Sequence, residues 1–269
     1  MDRAIGLAAL TVLELAPPDI VTCAAQAGYD CVGLRLLPAT ETETRHPIVG
    51  DTPMLRETAK RLADTGLRVL DIELFRLEPD TDVREYRAAL ESGARLGARE
   101  ALVAGNDPDE QRLVDRFGAF CELAAGFGIG ANLEPMPWSD VRDFAQGARI
   151  VGAVGRDSAG LVIDPIHFDR GGSRPEEIAP LPARHLHYMQ LCDAPAERPA
   201  DMETIIRQAR AERLMPGDGG LDLRGILRAL PPGIPVSVEI PMQTLSRSVP
   251  ALERARQMLA KTRQLLKSL

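Results

Sequence analysis

The stretch "GLVIDPIHFDRGG", residues 160–172, combines an apolar run of strand length with an abrupt polar end. Residues 160–163 are apolar, Asp164 stops the run, Pro165 follows, and His167 stands three residues past the acid. A strand buried on both faces reads as a continuous apolar run, as in parallel sheets. Such a strand ends on a carboxylate either because it surfaces there or because something is bound there. Seven further runs of the same kind lie at 4–10, 31–36, 67–74, 100–105, 130–135, 184–191 and 235–240. Amphipathic stretches separate them, at 17–28, 51–65, 82–97, 109–127, 139–154, near 174–180, 202–213, 222–230 and 248–267. Several carry helix punctuation: "PPDIVTCAAQAG" opens on proline and closes on glycine, and the second stretch ends at Gly66.

Eight strands alternating with helices, without a composition break or low-complexity linker, argue for parallel βαβ units. Eight such units in about 250 residues match a closed barrel. The expected architecture is therefore α/β, a single (β/α)8 TIM barrel spanning residues 1–269. A doubly wound open sheet would usually show a glycine-rich phosphate loop after an early strand, and the chain has neither GxGxxG after its first strand nor GxxxxGK[ST] anywhere.

The net charge of −7 and the dispersal of Lys and Arg among the helical stretches disfavour nucleic acid or a membrane surface as partner. The apolar N-terminal stretch carries Glu14 and two prolines, is too short to span a bilayer, and lacks a signal cleavage site. Cys23, Cys31, Cys121 and Cys192 show no CxxC spacing and read as reduced thiols of a cytoplasmic protein.

In a barrel of this kind the site lies at the C-terminal ends of the strands. The fifth strand ends on Glu134, the sixth on Asp164, the seventh on Gln190 with Asp193 beyond it, and the eighth on Glu239. Neighbouring strands are about 4.8 Å apart, so four such side chains can converge. Any one of these acids alone reads more often as a helix N-cap or a solvated loop residue than as a ligand. One per adjacent strand, with Pro135, Pro165 and Pro241 close behind, is the more specific pattern. Three carboxylates on one rim repel, and a divalent cation resolves the repulsion. The all-oxygen set Glu134, Asp164, Gln190 and Glu239 favours Mn²⁺ or Mg²⁺, with Co²⁺ possible, over zinc. His167 is expected over the same mouth as a substrate-binding group. Arg35, and Glu73 with Arg76, leave the second and third strands toward it, and Trp138 offers a wall for a sugar face. His185 and His187 have parity opposite to Gln190 and are expected to face the helices; His46 reads as solvated. "PGDGG" (216–220) reads as a tight turn or as a nest of N–H groups for an anion, with Asp218 disfavouring phosphate.

At these residues the chain resembles the xylose-isomerase-like TIM barrels of the sugar phosphate isomerase/epimerase family. The resemblance runs through "NLEPMPW", "VIDPIHFDRGG", "YMQLCDAP", "RLMPGDGGLDL" and "SVEIPM". It implies one divalent metal on Glu134, Asp164, Gln190 and Glu239, with Glu134 and Glu239 also moving the proton, and substrate contacts from His167 and Arg213. Gln190 stands where isomerases and epimerases commonly have His, and in this the chain is similar to 3-dehydroshikimate dehydratases. Endonuclease IV is a more distant likeness, and four histidines are too few for its zinc site. The implied function is a metal-dependent isomerase or epimerase of an unphosphorylated sugar or keto-polyol, working through a metal-stabilised enediolate. The alternatives are a metal-dependent lyase acting by β-elimination on a keto acid, or a barrel subunit of a heteromeric complex. A small-molecule sugar or keto acid is the expected partner, and a homodimer the expected assembly.

Overall fold

A computed structural model describes residues 3–269. Eight parallel strands form one sheet: β1 (Ile5–Leu7), β2 (Cys31–Arg35), β3 (Arg68–Leu77), β4 (Glu100–Gly105), β5 (Gly130–Glu134), β6 (Ala159–Leu161), β7 (Met189–Leu191) and β8 (Val236–Val238). Their order is β6-β5-β4-β3-β2-β1-β8-β7. β1 pairs with β8 through Ile5↔Val236 and Leu7↔Val238. The remaining seam closes through one bridge, Ile163↔Met189, where the Gln190 N–H donates to the Ile163 carbonyl at 3.1 Å. The sheet thus curls into a single barrel.

The helices are α1 (Pro17–Ala27), α2 (Pro53–Thr65), α3 (Arg87–Arg95), α4 (Glu110–Ala125), α5 (Phe144–Val154), α6 (Pro165–Arg170), α7 (Met202–Ala211), α8 (Leu223–Ala229), α9 (Gln243–Ser246) and α10 (Ala251–Lys267). Outward-facing strand residues such as Ile72, Phe75 and Leu133 join Phe117 and Phe120 of α4 in the main core. A smaller cluster that includes Leu70, Leu74, Leu102, Val162 and Tyr188 is separate from it. Because both faces of every strand are covered, the strands read as unbroken apolar runs.

Several boundaries differ from those read in the sequence. The first strand stops at Leu7, because residues Ala9–Val12 turn into a 3-10 helix. That turn brings the Thr11 hydroxyl to the Val238 carbonyl (2.8 Å) and the Ile240 N–H (3.0 Å), continuing the end of β8 by side chain instead of strand. The sixth helix is α6, immediately after Asp164, and only a 3-10 turn, Pro175–Glu177, falls in the expected 174–180 segment. The run 184–191 begins as a 3-10 turn, Ala183–His185, and is a strand only over Met189–Leu191. His187 therefore does not face the helices. Its Nδ1 lies 3.1 Å from Glu100 Oε2 at the start of β4. A Cβ placed on Gly160 would stand 2.8 Å from the same Nδ1 and would collide with Asn132, so the base of the barrel needs glycine there. His185 is buried, with Nδ1 2.7 Å from the Ala159 carbonyl oxygen.

Candidate functional site

A cavity of about 270 Å³ opens over the C-terminal ends of the strands, with Glu134, His167, Arg213 and Glu239 on its floor and Trp138 and Arg210 at its edge. Each floor residue is placed by a local rule. Glu134 is the last residue of β5. Asp164 is the N-cap of α6, its Oδ1 accepting the Ile166 N–H at 3.0 Å with Pro165 next to it. His167 lies on α6, one turn beyond Asp164. Gln190 sits within β7, and Glu239 directly follows β8, its N–H donating to the Leu191 carbonyl at 3.0 Å.

Arg213 ties these groups together from the loop after α7. Its Nη1 donates to Asp164 Oδ2 at 2.6 Å, its Nη2 lies 2.9 Å from Glu239 Oε2, and its Nε donates to the Ala209 carbonyl at 2.6 Å. The Gln190 amide donates to the other Glu239 oxygen at 2.8 Å. His167 Nε2 lies 3.8 Å from both Glu134 Oε1 and Asp164 Oδ2. One ligand atom each from Glu134, Asp164 and His167 fit within 4.8 Å of one another, the spacing a metal ion needs. Buried Glu134 Oε1, His167 Nδ1 and Gln190 Oε1 have no hydrogen-bond partner. Buried polar atoms are normally paired, so this floor has donor and acceptor capacity left for a ligand.

The electrostatics separate the acids. Burial, with Glu239 and Asp164 nearby, pushes the Glu134 carboxyl well above the usual carboxylate range. Burial also raises Glu239, to about 8, against the pull of Arg213. Asp164 is equally buried, but Arg213, His167 and the cap hydrogen bonds outweigh burial and hold it below its ordinary value. Burial lowers His167 to about 4, leaving a neutral imidazole at neutral pH. The floor thus combines a fixed anion, a fixed cation and two carboxyls that can carry a proton.

The structure brings Glu134, Asp164, Gln190, Glu239, His167 and Arg213 into one connected group. Asp164 and Gln190 do not line the open cavity; they lie in the layer joined to it through Arg213 and Glu239. Arg35 lines the wall, held at 2.9 Å by Glu43 and by Glu73. Trp138 stands edge-on to the His167 ring, centroids 4.9 Å apart. His167 belongs geometrically with Glu134 and Asp164, a grouping that the strand-end pattern did not contain, because the histidine sits on a helix. The pattern also missed Arg210, whose guanidinium lies 5.4 Å over the Trp138 ring. Its signal was the three-residue spacing to Arg213. The "PGDGG" nest is satisfied from within the chain: the N–H groups of Gly217, Gly219 and Leu221 donate to the buried Asp193 carboxylate at 2.9, 3.0 and 3.1 Å. Asp193 and Leu214 also exchange backbone hydrogen bonds, so this turn fixes the segment that carries Arg213.

The family model described as xylose isomerase-like TIM barrel matches residues 21–265. Over 223 residues the chain is 27% identical to a 3-dehydroshikimate dehydratase of Pseudomonas aeruginosa, covering 78% of this chain and 33% of that protein. It is 28% identical over 159 residues to an inosose isomerase of Bacillus subtilis, 55% of each chain. The matches thus span about a third and about half of these relatives' lengths. Among solved structures, an IolI protein with a bound zinc atom superposes with a TM-score of 0.80 at 20% identity, covering 98% of both chains. A 3-keto-D-glucoside 4-epimerase from E. coli superposes with a TM-score of 0.72 at 15% identity, covering 98% of this chain and all of that one. At these identities the two structures speak for the fold alone.

Proposed function

From a chain that belongs to the xylose isomerase-like TIM barrel family, we propose a divalent-metal-dependent isomerase or epimerase acting on a sugar or keto-polyol. The observation that carries the reading is the connected group at the barrel mouth: Glu134, Asp164, Gln190 and Glu239, one from each of four consecutive β-units, linked through Arg213 and His167. The relatives that are named enzymes work on small cyclic or sugar-like compounds, which agrees with a cavity of about 270 Å³.

Glu134, Asp164, Gln190 and Glu239 would hold the ion. The unpartnered oxygens of Glu134 and Gln190 fit a cation, and an all-oxygen set suits Mn²⁺ or Mg²⁺, with Co²⁺ possible. The ion's contribution is Lewis acidity toward a carbonyl. The chain's own groups supply the rest. Glu239 would take a proton from the carbon next to the carbonyl, and Glu134 would return one to the other face or to the neighbouring carbon. Arg213 holds Glu239 in place and presents a fixed positive charge to substrate oxygens. Neutral His167 offers a substrate hydroxyl a hydrogen bond from its free nitrogen, and Trp138 and Met136 give an apolar wall.

The test is solvent exchange. Candidate α-hydroxyketones incubated with the metal-loaded protein in D₂O should take up deuterium next to the carbonyl, as followed by proton NMR, and Glu239→Gln should abolish the uptake. Undiminished exchange in Glu239→Gln removes the base assignment. Gln190 favours a second reading, β-elimination by a 3-dehydroshikimate dehydratase-like lyase: it presents an amide to Glu239 where isomerases commonly have His. Appearance of a new ultraviolet chromophore with 3-dehydroshikimate as substrate would select that reading.

A further inference from the structure

We propose that the substrate is an anion, a sugar acid or keto acid in place of a neutral keto-polyol, whose carboxylate docks beside Arg210 and Arg76 at the outer rim of the cavity. The inference rests on the reading of the cavity as a small-molecule site and adds the class of substrate that enters it.

The charges of the cavity are balanced on its floor and unbalanced at its rim. Arg213 is neutralised by Asp164 and Glu239. Arg35 is neutralised by Glu43 and Glu73. Arg76 makes hydrogen bonds only to neutral acceptors, Asn106 Oδ1 at 3.0 Å and the Ala39 carbonyl at 2.9 Å. Arg210 lies over the Trp138 ring at 5.4 Å. Among the described residues, neither Arg76 nor Arg210 has a carboxylate partner. The acid whose charge bears on Arg210 is Glu43, and that carboxylate is already held by Arg35 through both oxygens and by the Ala39 N–H at 2.7 Å.

The two unpaired arginines come from different walls of one cavity, Arg76 from β3 and Arg210 from α7. They are close enough that the charge of Arg76 acts, after burial, to lower the proton affinity of Arg210. Two like charges lining one binding cavity with no carboxylate partner are unfavourable until an anion enters beside them. Both guanidinium groups are also preorganised, Arg76 by its two neutral acceptors and Arg210 by the indole face, so little side-chain freedom is lost on binding. A guanidinium so placed suits the two oxygens of a carboxylate. The reactive carbonyl of the same molecule would then lie deeper, toward Glu134 and Glu239.

Calorimetric titration of the metal-loaded protein with paired ring compounds tests this. The probes are 3-dehydroshikimate and quinate, which carry a carboxylate, and scyllo-inosose and myo-inositol, which do not. Tighter binding of the carboxylates is expected, weakening as salt is raised. Arg210→Ala should weaken carboxylate binding by roughly ten- to a hundredfold, leave the neutral rings unchanged, and be partly restored in Arg210→Lys. The proposal is overturned if no carboxylate binds more tightly than its neutral counterpart, including the case in which no probe binds, or if Arg210→Ala weakens both classes alike. Proton exchange is read separately in D₂O. Exchange on a neutral ketone without carboxylate preference sinks this inference alone; carboxylate binding without exchange sinks the proton-transfer reading alone.

Discussion

Arg213 is 2% exposed and sits between two carboxylates, one capping α6 and one following β8. Removing it leaves Asp164 and Glu239 buried without their cation. Breaking one side of a buried ion pair costs about 3 to 5 kcal/mol, so Arg213→Ala should lower the unfolding free energy by that order in chemical denaturation; a change below about 1 kcal/mol would show that solvent reaches the pair. Glu134 contrasts with it, since its Oε1 has no hydrogen-bond partner. Glu134→Gln should therefore leave stability nearly unchanged, or raise it, while affecting whatever the site binds; a large loss of stability would show that Glu134 holds the fold. These two outcomes separate residues that build the site from residues that use it. The sequence marks Glu134, Asp164 and Glu239 because an apolar run stops at each of them, although all three carboxylates are buried. It could not show that Arg213 lies between them, because that contact closes over 49 and 26 residues.

Among the elements, α6 forms at Pro165–Arg170, ahead of the 174–180 segment where the sequence suggests a helix. "DPIHFDRGG" has an N-cap acid, proline at the first helical position and glycines at the end, all signals of a short helix. The apolar strand before it drew attention to Asp164 as a strand end, and the same residue serves as the cap. His167 is therefore fixed on a helix, one turn past its cap, and its approach to Glu134 follows from helical geometry. The turn after α7 has a similar dual character. Its glycines look like an anion nest, and the anion is Asp193 of the same chain. Asp193→Ala strips the acceptor from four backbone N–H groups, those of Ala194, Gly217, Gly219 and Leu221, and should cost about 3 kcal/mol, with a loss of turnover because Arg213 is attached to that turn. Gly219→Ala should act the same way, since a Cβ there would run into the Ala194 carbonyl and Asp193. Full activity in both variants would detach the turn from the site.

In the whole molecule the barrel carries the candidate site at one end and the His187–Glu100 pair at the other. The strand count, the parallel order and the location of the site at the C-terminal ends follow from alternation of buried strands and helices. The base does not follow from alternation: the 187 position is half-buried against Glu100, and strand parity gave the wrong direction because the segment before Met189 is not a strand. Burial opposes protonation of His187, but the hydrogen bond and charge of Glu100 prevail and raise its pKa. A histidine raised on folding stabilises fully below its unfolded value, about 6.5, and loses that contribution as pH rises through the folded value. His187→Gln should therefore lower the melting temperature more at pH 6 than at pH 9; equal shifts at both would show that Glu100 contributes no charge interaction. No helix of the described residues is long and apolar enough to cross a membrane, and all four cysteines are free and buried.

On the proposed reading, the mouth of this barrel holds one divalent ion on Glu134, Asp164, Gln190 and Glu239. Metal content by mass spectrometry, measured on the purified wild type and on Glu134→Gln after reconstitution with Mn²⁺, Mg²⁺, Co²⁺ or Zn²⁺, tests it most directly, because Glu134 can be changed without breaking the Arg213 ion pairs. The account predicts about one ion per chain in the wild type and its loss in a variant with unchanged circular dichroism. No bound ion in the wild type under any of these conditions, or undiminished binding in the variant, would contradict it.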